Sequence, residues 1–338
     1  MISTDVAIIG AGPIGLELAV ALKCAGIEYL QFDAQQIGHT ISWFAPQTRF
    51  FSSNDRIAIA GVPLQTPDQG KCSREQYLAY LRGVVEQFAL QVRTYEPVVA
   101  IDPAETGLLL TTQPLAGPAR YGCQRLVLAT GGTAKPRLLN IPGEDLPHVS
   151  HRMGDPHDYF HRRVLVVGGK NSAVEAALRC HNAGAIVSLS YRGDQLDPKS
   201  IKYWLLPEIT TLVKSGRITA YFSTTPTRIT PTQVELGERA VAADAVLLMT
   251  GYVADMTLCR LAGVELTGER QTPTYNPRTM ETNIPGVYLA GTVIGGTQDR
   301  YRVFIENGHT HIARILAALT GKAPPAPTSR DVPANPES

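Results

Sequence analysis

A glycine turn followed at a fixed distance by an acid constrains this chain more than any other feature. Val6-Ala7-Ile8-Ile9 reads as a short buried strand, Gly10-Ala11-Gly12-Pro13-Ile14-Gly15 as a turn, and Leu16–Ala25 as an apolar helix. Tyr29-Leu30-Gln31-Phe32-Asp33 is then a second strand ending in a carboxylate, 23 residues after the first glycine. This is a complete G-x-G-x-x-G βαβ start. The first glycine makes the tight turn, the second lets backbone amides approach a pyrophosphate at the helix N-terminus, and the third lets helix and strand pack closely. The acid accepts hydrogen bonds from a ribose. A glycine-rich turn of purely structural purpose would leave Asp33 unexplained.

A second unit of the same kind begins near residue 163. Arg163-Val164-Leu165-Val166-Val167 is a strand, Gly168-Gly169-Lys170-Asn171-Ser172-Ala173 the turn, Val174–Ala183 the helix and Ala185–Ser190 the next strand. Lys170 stands where the second glycine is expected, and Ala173 replaces the third, a replacement the pattern admits. A lysine side chain can leave the turn and lend its charge to a phosphate. Where an acid would select a free 2′-hydroxyl, the chain instead reads Tyr191-Arg192-Gly193, followed by Lys199 and Lys202. An arginine there favours the 2′-phosphate of NADP.

Two nucleotide units imply two nucleotides facing each other, FAD in the first and NAD(P)H in the second, with hydride passing between them. An enzyme is the default expectation. The chain length of 338 residues agrees with about two domains. A net charge of +1, with charges mixed along the chain, argues against nucleic acid and membrane surfaces as partners. Ala7–Leu22 is apolar but carries Glu17, follows Asp5 and is broken by glycines and Pro13, so it reads as mature structure rather than a signal peptide.

The five cysteines, Cys24, Cys72, Cys123, Cys180 and Cys259, are separated by 48, 51, 57 and 79 residues. That spacing excludes a C-x-x-C redox pair, a zinc knuckle and a local iron–sulfur run, and fits reduced thiols of a cytoplasmic protein. Cys72, in a loop beside Lys71 and Arg74, is the thiol to test for redox duty. His157 and His161 only superficially match a zinc pair, and no metal site is expected.

Further punctuation completes the plan. Leu126–Gly132, Val246–Tyr252 and Gly286–Gly291 are strands running into small-residue turns, Phe304–Leu319 is a closing helix, and the proline-rich end from Ala323 reads as a disordered tail. Tyr252, Trp204 and Tyr301 are aromatic residues that could border a flavin.

These motifs in this order resemble the thioredoxin-reductase-like flavoproteins with two dinucleotide domains, over about residues 4–320. The resemblance implies two Rossmann-like, three-layer α/β domains, with the FAD domain discontinuous: residues 1–137 and 255–322 for FAD, 138–254 for an inserted NAD(P)H domain, and 323–338 as tail. Gly10, Gly12, Pro13, Gly15 and Asp33 would match the FAD fingerprint, Thr130-Gly131 the central turn, and Gly291 the C-terminal glycine. Gly168, Gly169, Lys170, Asn171, Ser172, Ala173 and Arg192 would hold NADP(H).

Within the group the chain is similar to the bacillithiol disulfide reductase (YpdA-type) family. The likeness is carried by Gly168–Leu178, Tyr191-Arg192-Gly193, Ser200-Ile201-Lys202, Leu206-Pro207-Glu208, Phe50-Phe51-Ser52-Ser53 and Phe304–Gly308. That family uses one cysteine in the first glycine turn, after its proline; here the position is Ile14. The aspartate that follows the C-terminal glycine in the wider group is here Thr292, whose hydroxyl could face a ribityl chain. The flavin-monooxygenase motif F-x-G-x-x-x-H is absent before the second turn.

The resemblance implies an FAD-dependent NAD(P)H oxidoreductase, by analogy a homo-oligomer, with a small-molecule disulfide or a small redox protein as acceptor. Three readings stay open: disulfide reduction through a displaced cysteine or a bound thiol, thiol-independent electron transfer to ferredoxin, flavodoxin, quinone or oxygen, and a non-catalytic NAD(P)H-binding sensor. No catalytic residue is identified from the sequence.

Overall fold

A computed structural model describes residues 2–298 and 302–323. Tyr301, and the expected tail beyond Ala323, lie outside the described residues. The chain forms two compact units. One comprises Met1–Ser42, Gln47–Lys135 and Val253–Ser338; the other comprises Trp43–Pro46 and Pro136–Tyr252.

The first unit is built on Ile2–Ile9, whose last residues Val6-Ala7-Ile8-Ile9 are all buried, as a parallel strand covered on both faces must be. It pairs in parallel with Tyr29–Phe32 on one side and with Ala119–Leu128 on the other. Val92–Arg93 extends the first edge.

Ala119–Leu128 serves two partners along a single edge. Its first half, Ala119–Cys123, pairs antiparallel with Leu108–Thr112, which continues to Val98–Pro103. Its last three residues, Leu126–Leu128, pair in parallel with Val287–Leu289. The C-terminal segment therefore completes the sheet that the N-terminus begins, and delivers Gly291 and Thr292 to the same end as the glycine turn.

Helices close the layers. Pro13–Cys24 starts with proline, whose fixed φ suits a first helical position, and buries Leu16, Leu18, Ala19 and Leu22. Arg74–Gln87 is opened by a capping box in which Ser73 Oγ accepts from the Gln76 N–H and Gln76 Oε1 accepts from the Ser73 N–H. The closing helix spans Ile305–Thr320.

In the second unit five parallel strands run in the order Thr219–Phe222, Ile186–Tyr191, Arg163–Val167, Ala245–Leu248 and Val149–Ser150. One face packs on the helices Asn171–Asn182 and Leu206–Lys214 through Val164, Val166, Leu178, Leu189 and Ile209. The other face, with Leu165, Val167, Val246 and Leu248, is covered by an antiparallel meander contributing Ile229, Val234, Leu236 and Val241. Alternate residues of one strand thus feed two separate cores, giving a three-layer α/β unit. No helix among the described residues is long and apolar enough to cross a membrane.

Candidate functional site

The three glycines of the first turn divide by what a side chain would meet. Gly10 has φ +116°, and a Cβ there would lie 2.3 Å from the Ala129 carbonyl oxygen. A Cβ on Gly15 would lie 2.2 Å from the Gly10 carbonyl oxygen, so this glycine allows helix and strand to touch. Gly12 has φ −75°, open to any residue, and a Cβ there would meet no protein atom within 4 Å. The second glycine has no reason inside the protein. It guards open space at a helix N-terminus whose first turn carries no acid to offset the positive end of the dipole. That is the shape and charge a pyrophosphate requires.

Asp33 lies beside this space. Its Oδ2 accepts from the Ala11 N–H at 2.7 Å and its Oδ1 from the Gln35 N–H at 2.8 Å. Burial pushes its pKa up, while the Gln35 and Ala11 N–H groups and nearby His39 oppose the rise. Beneath the turn, fully buried Gln31 donates through Nε2 to the Gly10 carbonyl at 2.9 Å, and its Oε1 has no protein partner among the described residues. The signal for Gln31 was present in the sequence as an amide inside an otherwise apolar strand.

At the same end of the unit, the central and C-terminal turns are joined. Gly131 has φ +79°, and the next N–H, of Gly132, donates to Thr292 Oγ1 at 2.9 Å. Gly291, with φ +76°, donates its N–H to His311 Nδ1 at 3.0 Å. Thr130 lies on the same central turn.

Ile14 is buried, and its side chain is wedged between two glycines. A Cβ on Gly291 would lie 3.3 Å from Ile14 Cβ, and one on Gly308 would lie 2.8 Å from Ile14 Cδ1. Replacing a helix-interior glycine by alanine normally stabilises by about 1 kcal/mol. Gly308→Ala is expected to destabilise instead, because the methyl meets Ile14, with overpacking of about 1–3 kcal/mol. In an Ile14→Ala background the penalty should shrink by about 1 kcal/mol, as read from denaturant midpoints; effects that add within about 0.5 kcal/mol would exclude the wedge.

Beside this wedge a polar network joins three distant segments. Ser52 Oγ donates to buried Glu306, whose Oε2 also pairs with Arg56 Nη1 at 3.3 Å. His309 Nδ1 is 2.6 Å from Glu17 Oε2, and its Nε2 is 2.9 Å from the Arg56 carbonyl oxygen. Both ring nitrogens therefore face acceptors. Ser52 and Glu306 lie in two of the segments that carry the resemblance, 254 residues apart, and their contact is what unites those segments. The sequence offered no way to pair them.

The second turn is built differently. Gly168 has φ +141°, and a Cβ there would lie 2.6 Å from the Met249 carbonyl oxygen. The Tyr191 ring lies over Gly169 and Gly193, whose Cβ positions would fall 2.4 Å and 2.6 Å from it. Lys170 is exposed with φ −111°, so a side chain here requires no backbone strain. Buried Ala173 takes the third place. Asn171 Oδ1 accepts from the Lys202 N–H at 2.8 Å, and Ser172 is exposed on the same helical turn. Arg192 is exposed, just past the strand Ile186–Tyr191. Trp204 belongs to this unit, in the loop pinned by Asn171, and Tyr252 packs against Trp43 with ring centroids 6.4 Å apart.

None of the four buried thiols is poised to react. Burial pushes Cys72, Cys123 and Cys180 up to about 12 and Cys259 up to about 11, so thiolate is scarce near neutrality. Cys72, singled out for redox duty from its loop and basic neighbours, is fully buried. Cys24 is exposed, but it sits at the far end of the helix from Pro13, ~16 Å from the glycine turn at 1.5 Å per residue.

Comparison with known proteins agrees with this plan. The family model described as pyridine nucleotide-disulphide oxidoreductase matches residues 7–291. The chain is 36% identical to bacilliredoxin reductase Bdr of Bacillus subtilis (strain 168), covering 94% of this chain and 98% of the relative. The solved bacillithiol disulfide reductase Bdr (YpdA) from Bacillus cereus superposes with a TM-score of 0.89 at 34% identity, covering 94% of this chain and 99% of that one. A ferredoxin–NADP reductase of Ignicoccus hospitalis is 26% identical, covering 93% of this chain and 96% of the relative.

Proposed function

Because the chain belongs to the pyridine nucleotide-disulphide oxidoreductase family and is an FAD-dependent NAD(P)H oxidoreductase, we propose that it carries electrons from NADPH through FAD to a small redox acceptor without using a thiol of its own. One observation carries this reading. Ile14 fills the niche between Gly291 and Gly308 at the glycine turn, and no described cysteine sulfur is both reactive and near that turn.

Residues of the first unit would hold FAD. The turn amides around Gly10, Gly12 and Gly15, with Pro13 opening the helix, receive the pyrophosphate, and Asp33 accepts from the adenosine ribose. Thr130, Gly131, Gly291 and Thr292 would line the flavin end, where the Thr292 hydroxyl, which accepts from the Gly132 N–H, could still donate to a ribityl oxygen. In the second unit Gly168, Gly169, Asn171, Ser172 and Ala173 form the phosphate turn. Lys170 and Arg192 supply the positive charges, Arg192 toward the 2′-phosphate. FAD held in the first unit would supply a two-electron acceptor for hydride from NAD(P)H and a donor to the acceptor that follows.

The acceptor class follows from the missing thiol. A ferredoxin, a flavodoxin, a quinone or oxygen takes electrons from a flavin directly, and the ferredoxin–NADP reductase relative supports this class. Identity to the bacilliredoxin reductase favours a second reading, in which a disulfide is the acceptor and the attacking thiol arrives with the substrate.

The deciding experiment replaces all five cysteines with alanine or valine. NADPH-dependent flavin bleaching and turnover with ferredoxin or a quinone are expected to persist within about twofold. Loss of turnover in a variant that still binds FAD would refute the thiol-free reading. Alkylation of the native protein gives an independent check, and is expected to modify Cys24 alone and leave turnover unchanged.

A further inference from the structure

The loop between Tyr191 and the Leu206–Lys214 helix is fixed at three points. Asp197 closes a tight turn, with Oδ1 accepting from the Lys199 N–H at 2.9 Å and Oδ2 from Ser200 Oγ at 2.6 Å. Ile201 is 5% exposed and sunk in the helix-side core. The Lys202 N–H donates to Asn171 Oδ1 at 2.8 Å, which ties the loop to the first residue of the phosphate-turn helix.

A loop held this firmly nevertheless presents its largest rings to solvent. Tyr203 is 81% exposed and Trp204 36%, with perpendicular rings 4.8 Å apart. Lys202 Nζ lies 5.9 Å from the Trp204 ring centroid, and Lys199 is exposed two residues before the buried anchor. Leaving Tyr203 in solvent and Trp204 about a third exposed forfeits burial that a purely structural loop would gain.

We propose that Tyr203 and Trp204 form a platform for the adenine ring of NADPH, and that Lys199 and Lys202 join Arg192 at its adenosine phosphates. In dinucleotide units the residues just past the second strand face the adenosine ribose. Tyr191 and Arg192 occupy that place, and the strand end is held there by hydrogen bonds from the Ser223 N–H to the Gly193 carbonyl and from the Thr224 N–H to the Tyr191 carbonyl. The loop that follows therefore borders the adenosine half of the nucleotide. Lys202 beside the Trp204 ring, with exposed Lys199 and Arg192 earlier in the same loop, matches a ligand that combines a flat aromatic base with phosphate charge. This inference rests on the assignment of NADP(H) to the second unit, and specifies which residues of that site grip the base.

The test uses the FAD-loaded full chain and three probes: 2′,5′-ADP, NADPH, and reduced nicotinamide mononucleotide, which lacks the adenosine half. In a Tyr203→Ser/Trp204→Ser variant, 2′,5′-ADP binding measured by calorimetry is expected to weaken about tenfold. The apparent Kd of NADPH in stopped-flow flavin reduction should rise equally, while reduction by the mononucleotide keeps its rate. Tyr203→Phe/Trp204→Phe should retain wild-type affinity.

Wild-type binding of 2′,5′-ADP with no loss in the Ser/Ser variant would overturn the platform alone. Equal loss with the mononucleotide would also overturn it, by showing damage to the whole unit. A wild-type protein that ignores 2′,5′-ADP would overturn both the platform and the NADP(H) assignment beneath it.

Discussion

Gly12→Val yields a folded, colourless protein: this is the expected result of placing a side chain where the protein itself has left open space. Nothing within 4 Å would oppose the new Cβ, and the backbone there, at φ −75°, accommodates valine. The remaining cost to folding is that valine is a poor N-cap, worth about 1 kcal/mol. For a chain of this size that lowers the melting temperature by only about 1–2 °C.

The effect on the cofactor is of another order. The valine branches would stand between the turn amides and the pyrophosphate, removing both the close backbone approach and access to the helix dipole. Flavin absorbance relative to protein absorbance, after purification and after incubation with excess FAD, checks this, and a variant carrying a full complement of FAD would refute the pyrophosphate assignment. Gly15→Ala is the contrasting control. Its methyl would lie 2.2 Å from the Gly10 carbonyl oxygen, so the helix must leave the strand and the fold itself should fail. One glycine answers to the ligand and the other to the protein, and the two variants should separate cleanly in circular dichroism.

The periodic parts of the molecule were legible because their causes are local. A continuous apolar run, a proline at the first helical position and a carboxylate at fixed spacing are written in adjacent residues, so both βαβ starts could be placed before any coordinate. The split strand pairing of Ala119–Leu128 was not, since nothing in Ala119–Cys123 distinguishes an edge that serves a meander from one that serves a C-terminal strand.

The same limit hid the polar network. Glu17 and His309 each look like surface residues on amphipathic helices, and only the Ile14–Gly308 crossing brings them within 2.6 Å. Cys72 was misleading for a related reason. Lys71 and Arg74 are its neighbours in sequence, yet Lys71 Nζ donates to the Phe51 carbonyl and the thiol is buried without exposure. Sequence reports which charges are near along the chain, whereas reactivity depends on which are near in space.

Arg192→Asp is expected to reverse coenzyme preference with little effect on stability. The residue is exposed, so its replacement should fall within about 0.5 kcal/mol of neutral for folding. Its position is nevertheless well defined. The Tyr191 ring sits over Gly169 and Gly193 so closely that a Cβ on either would clash, which sets the strand end against the phosphate turn. A guanidinium carried by this strand end would donate to a 2′-phosphate. An aspartate in its place repels that phosphate and accepts from a free 2′-hydroxyl.

Loss of charge-assisted hydrogen bonds is worth about 1.5–3 kcal/mol, or ~10- to 150-fold in the ratio of kcat/KM for NADPH to that for NADH. Because repulsion acts in the same direction, the upper part of that range is expected. The change should fall mainly on NADPH, with NADH turnover maintained or improved. A ratio that moves by less than about threefold would remove Arg192 from the 2′-phosphate site and shift the burden of recognition to Lys170, Lys199 and Lys202. Repeating the measurement at raised salt provides a second reading. The wild-type preference should narrow as the attraction to the phosphate is screened, and so should the part of the Arg192→Asp preference that comes from repulsion, whereas the part that comes from the hydrogen bond to a neutral 2′-hydroxyl should persist.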